Sequence, residues 1–503
     1  MKENKKRELH PVWFFIILSI ITIVLSAILS LVNFQGTATE ISSSLKTSTS
    51  VTTVESLLSL DGFKFMFGES INNFLKFMPL GTIIIALIGI GMVLKTGYLK
   101  SIFAKISKKI PRRTAFFIFS LLCIVMGFSS DLSYVIMIPV AAILFTEYKR
   151  SQIVGMTMAF VSTAAGSNIN LFITSIDYSL IELAKDSVSL IDSDYKYGYS
   201  GNLFFIVIAT LLLAVLISSI TEVLAMKKPV RIGEEEEEIS EKLDKKGLKI
   251  SFIALTIMTL VFIYSIIPDL PLSGALLDSG QTLYVNKLFS ANSPFVNGIT
   301  FIVSLSFIIC GTIYGITTKQ IKSDRDIVKL FSNSLNGIGE MLILIFFASQ
   351  FIALFRYTNI GTVITINIFN FLKNGEFSFI ILILLSFIGI IISGLFLPSL
   401  ASKWTIFVPV LIPLFMKSNI TPEFTGAIFR LASSIPNILT PVLPYFVVFV
   451  GFIGLYSKND FSIRNCYKLV IPYFIGVTIL WIFIIIGWYV LKAPIGPGVY
   501  PVI

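Results

Sequence analysis

The chain has 503 residues, 55% of them hydrophobic and 14% charged, with a mean hydropathy of +0.87; soluble domains carry roughly 25% charged residues. Its net charge of +10 comes largely from Lys and Arg in short loops between apolar runs, a positive-inside pattern rather than a nucleic-acid signal. One histidine, His10, and three cysteines without paired spacing, Cys123, Cys310 and Cys466, argue against a zinc centre, a histidine-based membrane protease and a disulfide framework, and no cofactor is expected.

Apolar runs of bilayer length recur along the chain, each able to cross a hydrocarbon core of about 30 Å as a helix. The first, Trp13 to Val32, follows Lys2, Lys5, Lys6 and Arg7 and lacks a small-residue cleavage site, so it reads as a retained span with a cytoplasmic N-terminus. The Ser/Thr-rich segment Phe34 to Leu60 reads as external. The span Met78 to Leu94 returns the chain to a loop, Lys95 to Arg113, with seven basic residues. A charged stretch at 226–249, holding Lys227, Lys228, Arg231 and the acidic run Glu234 to Glu238, reads as a solvated cytoplasmic linker between halves at 1–225 and 250–503. Pro268 to Ser293 reads as external, Thr317 to Lys329 as internal, and the tail after Lys492 as external. The predicted fold is an all-α polytopic membrane protein of about nine spans. An internal start and an external end require an odd number of crossings.

Two apolar regions are not clean spans. Gly127 to Leu180 and Ser393 to Phe446 each hold a polar tip, an apolar stretch with a central proline (IMIPV and IFVPV), and a helix interrupted by small and amide residues (AAGSNIN and SSIPN). Pro139 precedes Asn168 by 29 positions and Pro409 precedes Asn437 by 28, a weak two-fold internal repeat. Unpaired backbone groups cost several kcal/mol in hydrocarbon, so broken helices occur there only when buried in protein or lining a wet cavity. Paired breaks in two halves point to a transporter site near the midplane. Breaks are expected at or near Pro139, Gly166, Asn168, Pro409 and Asn437. Small residues also serve close helix packing, the plainer explanation.

Charged residues inside these regions must be paired or face water. Arg430 carries a planar fork suited to a carboxylate, or it pairs with an internal acid such as Asp177. Asp131 orients a hairpin tip. Lys403 and Trp404 stand at a second tip, where the ring is either an interfacial anchor or a pocket wall. Glu340 opens a helix.

These residues bring out a family resemblance. The stretches HPVWFFIIL, NNFLKFMPLGTIIIALIGIGMVLKTG, SSDLSYVIMIPVAAILF, GSNINLFITSID, GEMLILIFFASQFIALFRYTNIG, SKWTIFVPVLIPLF and FRLASSIPNILTPVLPYF, in this order, resemble the p-aminobenzoyl-glutamate transporter (AbgT) family over nearly the whole chain. The resemblance implies a homodimer in the cytoplasmic membrane, nine transmembrane helices and two re-entrant hairpins per subunit, and cation-coupled movement of p-aminobenzoyl-glutamate or a related carboxylate, with efflux of sulfonamide-like compounds as the alternative. Carried over by position, its cavity residues fall on Asp177, Trp404, Pro422, Arg430 and Pro441, with Gly166, Asn170 and Asn437 also matching. Two positions depart: Ser433 replaces a family aspartate, and Ala401 a family serine, with Ser402 and Ser399 close by. The expected substrate-binding set is therefore Asp177, Ser402, Trp404, Pro422, Arg430, Ser433, Asn437 and Pro441. The oxygen-rich set Asn168, Asn170, Ser433, Ser434 and Asn437 suits sodium, and a proton route through Asp177 is its rival. A passive anion channel would need a continuous polar path. An enzyme would need catalytic groups that this sequence lacks.

Overall fold

A computed structural model describes residues 9–41, 47–227, 241–290, 292–375, 377–456 and 462–503. The basic N-terminal residues through Arg7 and the acidic run Glu234 to Glu238 lie outside them. The helix Glu241–Ser265 begins inside the stretch read as a linker.

Among the described residues six helices are long and apolar enough to cross a bilayer, and a seventh crossing is made if Leu80–Lys95 and Tyr98–Lys109, bent by 65°, count as one. The bend falls at Gly97, whose φ of 74° is open to glycine and strained for other residues. About nine spans were expected. Those nine were counted apart from the two interrupted regions; the difference lies in apolar helices shorter than a full span, such as Ile380–Phe396.

The all-α expectation has one exception. Gln35–Ile41 and Thr47–Thr53 form an antiparallel hairpin in register from Gln35 opposite Thr53 to Ile41 opposite Thr47. Its Ser/Thr-rich second strand favours extended backbone. It lies on the helix Ile360–Asn374, where Asn367 and Asn370 donate to the carbonyls of Gln35 and Thr37 at 3.0 and 3.1 Å.

The two interrupted regions fold in the same order. In the first, a π-helical turn Leu132–Ile136 leads into Met137–Glu147. A turn with Lys149 at φ 54° follows, then the helix Gln152–Gly166, a non-helical stretch at 167–174, and Ser175–Ser189. In the second, Leu400–Met416 is followed by a turn with Asn419 at φ 60° and the helix Pro422–Ser434. A break containing the 3-10 turn Pro436–Ile438 then precedes Pro444–Tyr456. Gly166, Asn168 and Asn437 therefore sit at breaks, as expected, and Pro139 lies in the first turn of the helix that follows the π turn.

Pro409 does not sit at a break. It lies with Pro413 inside Leu400–Met416, which runs on through both. The prolines withdraw two N–H donors but leave helical φ in place, so the helix loses hydrogen bonds without ending.

Burial sorts the helices into a centre and a surround. From Val154 to Gly166, and along all of Pro422–Ser434, every residue is buried, which marks helices enclosed on all sides. By contrast, only 17% of the first span and 11% of Asp244–Ser265 is covered by protein, leaving broad lipid-facing surfaces. The two regions also grip each other. Tyr134 stacks on Tyr445 at 4.4 Å, and Phe160 on Phe449 at 4.3 Å.

Close approach within the first hairpin depends on Gly155, where a Cβ would fall 2.6 Å from the Phe145 ring and 2.8 Å from the Ala141 carbonyl. Gly155→Leu is expected to cost about 1–3 kcal/mol by overpacking. A lowered thermal midpoint of the purified protein would register it. Gly487→Ala, in an open helical position, should leave the midpoint unchanged or raise it.

Candidate substrate and ion site between two helix breaks

When the helix Gln152–Gly166 stops inside the protein, its last carbonyls need donors. The chain itself supplies two, Ser167 Oγ to the Ala164 carbonyl at 3.0 Å and the Ile169 N–H to the Gly166 carbonyl at 3.1 Å. Arg430 serves the break beyond the helix, its Nε donating to the Asn168 carbonyl at 2.7 Å. Asn168 returns the bond, Nδ2 donating to the Arg430 carbonyl at 3.3 Å. The same guanidinium donates through Nη1 to Asp177 Oδ1 in an ion pair whose residues are only 3% and 5% exposed. The sequence left open whether Arg430 pairs with Asp177, and in this structure it does.

Asp177 is held for that role by the start of its own helix. Its Oδ2 accepts from the Thr174 backbone N at 2.7 Å and from Thr174 Oγ1 at 3.0 Å, closing a capping box. The helix N-terminus adds a favourable dipole for the carboxylate.

The remaining expected residues divide by what they touch. Asn437 Nδ2 donates to Ser167 Oγ at 3.2 Å, tying the second break to the first. Its Oδ1, like Ser433 Oγ, is buried with no hydrogen-bond partner. Ser434 Oγ is committed, donating to the Leu431 carbonyl at 2.8 Å and accepting from Trp481 Nε1 at 3.1 Å. Asn170 is also committed, donating to the Val125 carbonyl at 3.2 Å and accepting from the Leu171 N–H at 2.8 Å. Pro422 starts its helix behind the Thr421 cap, and Pro441 lies half-buried in the second break. Ser402 is exposed, and its hydroxyl donates to Ser399 Oγ at 2.9 Å.

Trp404 is fully buried, which rules out an interfacial anchor. Its Nε1 donates to the Leu180 carbonyl at 2.7 Å and its ring lies 4.4 Å from Phe429. Lys403 is fully buried too, with Nζ unpartnered. A Cβ on Gly394 would come within 3.1 Å of it and 2.3 Å of Pro436, so the ammonium lies by the second break. Asp131 accepts from the Tyr445 hydroxyl at 2.6 Å. Glu340 is exposed in the first turn of its helix, on the wall of a cavity of about 880 Å³ that His10, Lys95 and Pro139 also line.

Between the breaks lies a cavity of about 310 Å³. Ser167, Asn168 and Asn437 give it hydrogen-bonding groups, and Phe128, Tyr134 and Tyr445 give it aromatic walls. Sequence reasoning missed Glu423, which is 1% exposed and carries an unpartnered Oε1. Directly after a proline at a helix start, it reads as an ordinary first-turn acid. Its burial comes from residues distant in sequence, among them Tyr195 and Gly201, more than 200 positions away. No group of three or more His, Cys, Asp or Glu side chains able to hold a metal occurs among the described residues.

Breaking a buried pair on one side leaves an uncompensated charge. Asp177→Ala is expected to destabilise by about 3–5 kcal/mol, and adding Arg430→Leu should recover much of the loss. Thermal unfolding of both variants decides this, and equal midpoints would remove the pair as the source.

The full length of the chain has recognisable relatives. A family model described as "AbgT putative transporter family" matches residues 6–503. The p-aminobenzoyl-glutamate transport protein of Escherichia coli (strain K12) is 28% identical over 503 residues, covering 98% of this chain and 94% of that one. Among solved structures, the Alcanivorax borkumensis YdaH transporter is 26% identical, with a TM-score of 0.48 over 97% of this chain and 100% of the other. Neisseria gonorrhoeae MtrF, described as one of a class of antimetabolite efflux pumps, is 27% identical, with a TM-score of 0.47 over 98% of each. With the family model matching almost every residue, the chain belongs to the AbgT family of multi-pass membrane transporters.

Proposed function

We propose that this protein is a secondary active transporter of a small aromatic carboxylate, p-aminobenzoyl-glutamate or a close relative, working as a homodimer in the cytoplasmic membrane with its N-terminus inside. The observation that carries the reading is the meeting of two helix breaks, one from each half, over a cavity of about 310 Å³. That volume falls in the usual range of small-molecule sites. Tyr134 and Tyr445 offer stacking surface to an aromatic ring, while Asn168 and Asn437 offer amides to its polar end. The E. coli relative's name supports this substrate class.

The solute carboxylate takes over part of the Arg430 guanidinium from Asp177, exchanging one charge-assisted bond for another. Sodium is the coupling ion. It uses Ser433 Oγ and Asn437 Oδ1, the buried oxygens of the expected set that lack partners. Each positive charge moved inward with the solute adds about 2.3 kcal/mol per 100 mV of membrane potential.

Proteoliposomes with imposed gradients test this. A sodium gradient should drive p-aminobenzoyl-glutamate uphill, and Ser433→Ala should weaken the sodium dependence. Movement only down the solute's own gradient would make the protein a passive pathway. Equal uphill rates after choline replaces sodium would overturn the sodium assignment.

A further inference from the structure

Two buried acceptor oxygens lie unpartnered where the segment 195–202 crosses the start of the helix Pro422–Ser434: Glu423 Oε1 and Asn202 Oδ1. The fold brings them into one seam. A Cβ on Gly201 would fall 2.5 Å from Glu423 Cγ and 3.3 Å from its Oε1. One on Gly426 would fall 3.3 Å from the Tyr197 hydroxyl and 3.6 Å from Asn202 Nδ2. Glu423 Oε2 already accepts from the Tyr195 hydroxyl at 2.8 Å. The C-terminal tail closes the seam, with the Thr421 N–H donating to the Pro501 carbonyl at 3.1 Å.

Two acceptors cannot satisfy each other. A buried carboxylate with one oxygen idle costs several kcal/mol unless a proton or a cation arrives. Adding a proton to Oε1 turns an acceptor into a donor in a seam where Asn202 Oδ1 still needs one. We propose that Glu423 is a proton-binding site of the transport cycle, with Tyr195, Tyr197 and Asn202 as its hydrogen-bonding shell. The proposal rests on the transport reading above and adds to it a second cation site, separate from the substrate cavity.

The site also has a structural link to the substrate end. Glu423 and Arg430 are seven residues apart on one helix, hence on the same face and about 10 Å apart along the axis. Beside Arg430 lies a cavity of about 10 Å³, lined also by Asp177, Tyr197, Asn202 and Gly426 and reaching the shell of Glu423 through Tyr197 and Asn202 without touching Glu423 itself, about the space one water needs. Tyr197 is within electrostatic reach of Glu423, Arg430 and Asp177. A proton gained or lost at Glu423 therefore changes the field at the pair that the solute must open.

Few other ionisable groups bear on Glu423. The segment 190–202 adds Tyr195 and Tyr197 and also carries Asp192, Asp194, Lys196 and Tyr199, of which Tyr199 is bonded to Glu182; the C-terminal tail adds Tyr500. Gln152–Gly166 and Phe379–Phe396 carry no ionisable side chain. Leu400–Met416 brings Lys403 near the second break. The helix Ile463–Leu491 meets this end through Trp488, which is edge-on to Phe205, with Tyr489 beside it.

The test uses the whole protein in proteoliposomes at clamped membrane potential, with p-aminobenzoyl-glutamate as the solute. Glu423→Gln keeps the shape and cannot titrate. One coupled proton contributes about tenfold in accumulation per pH unit, so the variant should lose that factor in pH-driven accumulation relative to counterflow measured on the same preparation. A pH jump on the solubilised protein should show a protonated-carboxyl infrared band that the variant lacks, a readout independent of transport. Unchanged pH-driven accumulation together with an unchanged band would overturn the proposal. Loss of sodium dependence instead of pH dependence would make the seam a sodium site and overturn the proton assignment. Absence of any p-aminobenzoyl-glutamate movement by the unmodified protein would count against the substrate reading, leaving the infrared band to judge Glu423.

Discussion

A chain that breaks its helix inside a bilayer must have its loose backbone groups taken up by protein, and here one side chain takes up one of them across two regions of the fold. Arg430 reaches from the second region to the Asn168 carbonyl at the first break, and Asn168 answers with its amide. That exchange, with the Asp177 pair, lets a long arginine and the open backbone of the break lie buried together. The stacked pairs Tyr134–Tyr445 and Phe160–Phe449 then bring the two regions together along their length. The cavity between the breaks is the space left over once these ends have been satisfied.

The charge pattern follows from the same constraint. Arg430 and Asp177 neutralise each other, and Asp131 is held by a phenol. Lys403 and Glu423 are buried with atoms left idle. In a structural core such idle atoms would be selected against, since apolar residues of similar size are often as good or better. In a transporter they are places where a solute, an ion or a proton can change the balance between states.

Much of this was legible in the sequence. Clustered amides and small residues gave away both breaks, because AAGSNIN and SSIPN carry more amides and hydroxyls than close helix packing needs. Asp177 and Arg430 stood out as charges in hydrocarbon. Pro409 misled because a proline within a buried helix can remove a hydrogen bond without turning the chain. The hairpin at 35–53 escaped because its partner helix lies more than 300 residues further on. Glu423 escaped for a similar reason: its seam is assembled from Tyr195, Asn202 and the C-terminal tail, and no local pattern records that meeting.

That hairpin also sets an order of events during synthesis. Asn367 and Asn370 follow the carbonyls they bind by 332 and 333 residues. At about 5–20 residues per second, the two strands are made roughly 20–70 s before the helix that covers them. For that interval they have no helix to lie on, and an isolated two-stranded ribbon is marginal in water, its open edges available to a neighbouring chain. Their content suits the wait. TSTSVTT and QGTATEI are hydroxyl-rich and contain only one valine and one isoleucine between them. A more apolar ribbon would hold the finished protein no worse, yet it would expose each newly made chain to its neighbours on the membrane.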